Sequence, residues 1–225
     1  MQLSYLAIIV ISIVLGLGTQ WYINHTFKRW SKVDIDSRET GEQVARRFLD
    51  SEGLGGVPIR PNGGGDLSDY YDPRSNALYL SPSSERGRSV ASAAVACHEA
   101  GHAVQHERGY APARIRMALV PAVNLGSQLW MVVLLLGIFI NQTGLVYLGI
   151  VLFALVVLFQ LVTLPVEFDA SARAMRFISS DVRISDEQAR GARQMLTAAA
   201  LTYVASALTS IMQLLYLLQQ NSHDE

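Results

Sequence analysis

Four stretches of this chain, at positions 3–22, 121–140, 145–164 and 196–218, run for about 20 residues each without Asp, Glu, Lys or Arg. A helix rises about 1.5 Å per residue, so each run can cross the roughly 30 Å hydrocarbon core of a bilayer with its backbone hydrogen bonds satisfied internally. Half the residues are hydrophobic and mean hydropathy is +0.24, which is too apolar and too uneven for one soluble domain of 225 residues. The first run ends on Trp21 and Tyr22, aromatics suited to the membrane interface. No basic residue precedes it and no small-x-small cleavage site follows, so it reads as a retained anchor. Asn141-Gln142-Thr143-Gly144 fits only a tight turn, which makes the second and third runs a helical hairpin.

Charge sets the expected orientation. All 18 Lys and Arg fall in two segments, thirteen between Lys28 and Arg116 and five between Arg173 and Arg193. None precedes the first run, sits in the hairpin loop or follows the fourth run, whose tail ends Asp224-Glu225. The positive-inside rule then puts both basic segments in the cytoplasm and both termini outside, with Lys28, Arg29, Lys32, Arg114 and Arg116 nearest the membrane. The expected organisation is a transmembrane anchor (1–22), a first cytoplasmic segment (23–120), a transmembrane hairpin (121–165), a second cytoplasmic segment (166–195) and a C-terminal span with its tail (196–225). This is a mainly α, multi-pass protein of the plasma membrane with about four spanning helices. The net charge of −1 says nothing about nucleic acid, but no basic, aromatic-studded patch appears, so nucleic acid is not an expected partner. A single cysteine, Cys97, excludes a disulfide framework and reads as a small buried side chain.

Within the first cytoplasmic segment, Ser37 can cap a helix from about Arg38 to Asp50 that Gly53 ends. The period then changes. Val57-Pro58-Ile59, Tyr70-Tyr71 and Ala77-Leu78-Tyr79-Leu80, with a turn at Asp72-Pro73-Arg74-Ser75-Asn76, predict a small antiparallel meander whose last strand is an edge able to take a peptide as an added strand. That strand leads into Ser81-Pro82, a helix start with proline at the first position.

The same helix carries Cys97-His98-Glu99-Ala100-Gly101-His102, a His-Glu-x-x-His motif. Four residues apart, His98 and His102 share one helical face and can point at one ion, while Glu99 borders that face and can reach a water beside it as general base. Zinc suits the set, since it accepts imidazole and carboxylate and keeps an open position. Chance produces this motif in a chain of this length only about once in a hundred. Its apolar approach from Val90 to Ala96 makes unpartnered histidines costly, and Gly101, at about 1 kcal/mol against alanine, fits where another backbone comes close. His106 lies one turn further on, and three histidines spread over roughly 12 Å of helix do not share an ion. The third ligand is expected to be Glu167, which follows the third run and shares its helical face with Ala170 and Ser171, a small surface for the Ala100-Gly101 helix. Asp169 can orient a ligand histidine, and Tyr203 can donate to a reaction oxyanion, though an ordinary core or interface tyrosine is the simpler reading. Ser185-Asp186-Glu187-Gln188 is a capping box opening the last helix.

At the strings Asp72-Pro73-Arg74-Ser75, Ala96-Cys97-His98-Glu99-Ala100-Gly101-His102-Ala103 and Leu164-Pro165-Val166-Glu167-Phe168-Asp169-Ala170-Ser171 the chain resembles the YugP-type membrane zinc metallopeptidases over nearly its whole length. More distantly, the order of motif helix, two spans and a glutamate is similar to HtpX and the CaaX prenyl proteases, whose third ligand lies in Glu-x-x-Ala-Asp. The resemblance implies His98, His102 and Glu167 as zinc ligands and Glu99 as base. Ser171 stands where that distant motif has Asp.

The expectation is therefore a membrane-embedded zinc endopeptidase that hydrolyses protein or peptide substrates at the cytoplasmic face. Its rivals are a non-catalytic scaffold or assembly factor with a structural zinc closed by His106 or Cys97, and intramembrane cleavage. Arg86, Arg88, Glu107 and Arg108 flanking the motif helix argue against the latter, because charges at that depth are expensive.

Overall fold

The computed structural model describes residues 4–221, so Leu3 and the acidic tail from Ser222 lie outside the described residues. Seven helices and three strands follow one another: α1 (Tyr5–Trp30), α2 (Gly41–Ser51), β1 (Ile59–Pro61), β2 (Tyr70–Asp72), β3 (Ala77–Leu80), α3 (Pro82–Arg86), α4 (Val90–Glu107), α5 (Ala111–Phe139), α6 (Thr143–Asp181) and α7 (Asp186–Asn221). The protein is mainly helical, and among the described residues α1, α5, α6 and α7 are the four helices long and apolar enough to cross a membrane.

Two compact units divide the chain. The first holds the described residues of Met1–Thr19, Ala111–Pro165 and Thr202–Glu225. Leu134, Ile150, Phe153 and Val157 are buried in it, and the Trp130 and Phe153 rings lie 4.5 Å apart between centroids. Leu6, Val10, Val14, Leu17, Leu125, Leu136 and Leu148 point outward, an apolar surface that suits acyl chains. Asn141 ends α5 with a positive φ of 53°, and the Gln142 N–H donates to Gly137 O at 2.7 Å, so the hairpin turn is a helix C-terminus closed by a left-handed asparagine.

The second unit holds Gln20–Tyr110 and Val166–Leu201. Its core is built around α4, whose alanines and small polar residues are buried on nearly every side. The apolar face of α2 (Val44, Ala45, Phe48, Leu49) belongs to that core, and Phe48 stacks on Phe177 of α6 with centroids 4.7 Å apart. Two boundaries differ from the sequence reading. Thr40, not Ser37, caps α2, because Gln43 at the third helical position completes a capping box that Ser37 has no partner for. A break at Gly87 separates α3 from the motif helix, which begins afresh with Ser89 accepting from Ser92 N–H at 3.1 Å. The start of α3 is held by Asp69, whose carboxylate accepts from Ser81 N–H at 2.7 Å and from the Ser81 and Ser84 hydroxyls.

The sheet is mixed, in the order β1-β3-β2. β2 and β3 form the antiparallel hairpin that the turn residues predict, but β1 pairs with β3 in parallel, Ile59 opposite Leu78. The 15 residues between β1 and β3 leave room for the chain to re-enter on the far side. β3 is therefore the central strand, with both backbone edges taken. The expected substrate edge at residues 77–80 is corrected, and β2 is the edge strand beside α4.

The approach of α4 to α6 has one tight point. A Cβ on Gly101 would lie 2.7 Å from Ala170 O and 3.2 Å from Ala170 Cα, backbone atoms that cannot step aside. Overpacking of this kind costs about 1–3 kcal/mol against a gain of about 1 from alanine's helix propensity. Gly101→Ala is expected to lower the unfolding temperature in detergent, whereas Ala103→Gly on the same helix should lower it only by the propensity term. Equal stability of Gly101→Ala and wild type by thermal scan would contradict this packing.

Candidate metal centre

His98 and His102 stand one turn apart on α4 with ring planes at 82° and centroids 4.7 Å apart, so their Nε2 atoms converge from different directions. Glu167, on α6 two residues after Pro165, meets them. Its Oε2 lies 3.2 Å from His98 Nε2 and 3.5 Å from His102 Nε2, and the three ligand atoms lie within 4.8 Å of one another. Zinc bonds of about 2.0–2.1 Å in tetrahedral geometry set ligand atoms about 3.3 Å apart, so this donor set matches a zinc site in kind and in size. Burial points the same way: Glu167 is 1% exposed, and a carboxylate that deep needs a cation beside it.

The remaining nitrogens are oriented from behind. His98 Nδ1 lies 3.2 Å from Ser171 Oγ, so the hydroxyl at the position where the more distant motif carries Asp makes the contact itself. His102 Nδ1 lies 3.0 Å from Gln105 Oε1. Asp169, expected to touch a ligand histidine, instead accepts from Gln105 Nε2 at 2.8 Å and from Arg173 Nε at 2.6 Å, so its link to His102 runs through the amide. Gln105 was not singled out in the sequence. Its signal there is a position one turn beyond His102, on the ligand face of the same helix.

Glu99 stays apart from the three-residue cluster. Its Oε2 accepts the Tyr71 backbone N–H of β2 at 2.9 Å, which pins one oxygen of the carboxyl. Burial pushes the Glu99 carboxyl above the usual carboxylate range, against the pull of the two imidazoles. His106 bonds Tyr71 Oη through Nδ1 at 2.9 Å, and Cys97 is fully buried with its thiol pushed up by burial; neither belongs to the cluster. Tyr203 falls in the first unit.

Residues 5–221 match the family described as "Putative neutral zinc metallopeptidase". The chain belongs to that family. It is also 40% identical over 211 residues to "Putative membrane protease YugP" of Bacillus subtilis (strain 168), which covers 94% of this chain and 93% of that protein. No solved structure matches the chain. The expected family and membrane character are thus shown, and zinc is the metal the family name implies for the His-His-Glu cluster.

The buried carboxyl of Glu99 generates a stability test. Because its folded-state pKa is raised, the group disfavours folding increasingly as pH climbs above its unfolded value, where the buried form must lose its proton. Metal-free Glu99→Gln protein is expected to melt higher than metal-free wild type at pH 8, with the difference shrinking as the pH falls toward the carboxylate range. A Glu99→Gln variant that melts lower at pH 8 would contradict the burial argument.

Proposed function

We propose that this protein is a zinc-dependent endopeptidase of the plasma membrane, with His98, His102 and Glu167 as metal ligands and Glu99 as the catalytic base. The observation that carries the reading is a division of labour between two carboxylates. Glu167 faces both Nε2 atoms, whereas Glu99, next to His98 in sequence, is held aside by the Tyr71 N–H. Zinc bound there would polarise a scissile carbonyl and lower the pKa of a water toward neutrality. Glu99 would accept a proton from a water there with the oxygen that Tyr71 leaves free, and would pass it to the leaving amine. A carboxyl whose pKa is raised by burial suits both halves of that task. The Tyr71 N–H fixes the base against rotation during the transfer, and the substrate main chain is proposed to lie along β2. A scaffold with a closed structural zinc would need a fourth protein ligand; Cys97 and His106 lie outside the cluster, which favours an open position.

The confinement of Lys and Arg to two segments supports a cytoplasmic site that acts on membrane-associated proteins or peptides. Topology reporters fused after Trp30 and after Ile184 should report cytoplasm, and reporters at Asn141 and at the C-terminus should report the outside; an outside signal from the first two would overturn the orientation. The two carboxylates can be separated directly. Glu99→Gln should keep zinc near the wild-type level while turnover of an unfolded reporter falls by roughly 10² to 10⁴, the usual worth of a general base. Glu167→Gln should lose zinc and activity together. Metal loss in Glu99→Gln, or full metal and activity in Glu167→Gln, would reverse the assignment.

A further inference from the structure

Gln105 is among the largest fully buried side chains of the protein, and its amide meets three partners. Nε2 lies 2.7 Å from Val166 O and 2.8 Å from Asp169 Oδ2, and Oε1 lies 3.0 Å from His102 Nδ1. A peptide carbonyl can only accept, and Asp169 is held by the Arg173 guanidinium at 2.6 Å as an acceptor also. Both contacts therefore demand the NH₂ group of the amide, and the flipped amide would set oxygen against oxygen twice. With Oε1 thus directed at the imidazole, Nδ1 of His102 must carry the hydrogen. Nε2 is then the nitrogen that faces Glu167, and the one whose lone pair would be free to take a metal bound between them.

His98 has no such constraint, because its Nδ1 faces the Ser171 hydroxyl, which can give or take a hydrogen. The two histidines of the cluster thus differ at Nδ1, one facing an acceptor of fixed polarity and the other a hydroxyl of either polarity. We propose that Gln105 is the positioning residue of the metal centre: it reads its polarity from Val166 O and the Arg173-held Asp169, and imposes the Nδ1–H tautomer on His102. The inference rests on the metal-site reading above and adds a residue to it. It also explains how a chain with serine at residue 171 keeps a carboxylate behind its metal ligands. The carboxylate sits two positions earlier, at Asp169, and reaches the other histidine through an amide.

The proposal predicts a reversal that simple packing does not. Gln105→Leu leaves the His102 N–H without an acceptor. Gln105→Glu supplies the acceptor but sets a carboxylate oxygen against both Val166 O and Asp169. Adding Asp169→Asn to Gln105→Glu gives that carboxylate a new donor, while the asparagine oxygen still accepts from Arg173. The measurement is zinc affinity of the purified full-length protein in detergent, by competition with a chromophoric chelator. Gln105→Leu and Gln105→Glu are each expected to bind zinc about 10- to 100-fold more weakly, and the double variant to regain roughly tenfold over Gln105→Glu. Asp169→Asn alone should not tighten binding. Wild-type affinity in either Gln105 single variant, or a double variant no better than Gln105→Glu, would overturn the proposal even if Gln105→Leu fails to fold. Failure of the wild-type chain to bind zinc would instead overturn the metal-site reading.

Discussion

A carboxylate buried between two imidazoles is the contact on which the second unit depends. Glu167 comes from α6 and the histidines from α4, so the two helices must approach until their backbones nearly touch, and Gly101 against Ala170 is where they do. Larger residues at either place would hold the ligand atoms too far apart to share an ion. The run of alanines before the motif has the same physical meaning: α4 is enclosed by α2, the sheet and α6, and only small side chains fit such a helix at close range. The buried charge is therefore made possible by the smallness of what surrounds it, and a metal cation held there would balance it.

Behind that contact, backbone groups set the polarity. The Tyr71 N–H of the edge strand fixes Glu99, and the Val166 carbonyl, lying just after the helix proline, helps fix Gln105 and through it His102. The side chains proposed to do the chemistry are thus aimed by main-chain atoms whose own positions belong to the fold. This arrangement separates the surroundings of two carboxylates that composition alone does not distinguish.

Much of this was legible because it depends on local or compositional rules. Uncharged runs marked the four long helices, Ser185 and Gln188 formed their reciprocal cap, and the spacing of His98, Glu99 and His102 stated its own geometry. The nearness of Glu167 to the motif helix was legible because small residues one turn on marked a close helix contact. The rest depends on partners distant in the chain. Strand order is decided by where the chain re-enters after a loop without periodicity, so the parallel pairing of β1 with β3 left no mark in the residues themselves. Ser37 and Thr40 are both good caps, and only the reach of Gln43 chose between them. Gln105 looked like an ordinary helix residue because its meaning comes from Val166 and Asp169, some sixty positions away.

The central claim is that two imidazoles and one carboxylate hold zinc with a position left open. Zinc K-edge X-ray absorption of the purified protein addresses it without any substrate. The predicted spectrum shows one zinc per chain with a first shell of nitrogen and oxygen only at about 2.0–2.1 Å, and outer-shell scattering from two imidazoles. A sulfur shell near 2.3 Å, which would bring in Cys97, or scattering from three imidazoles, which would bring in His106, would contradict the open site and favour a closed structural one.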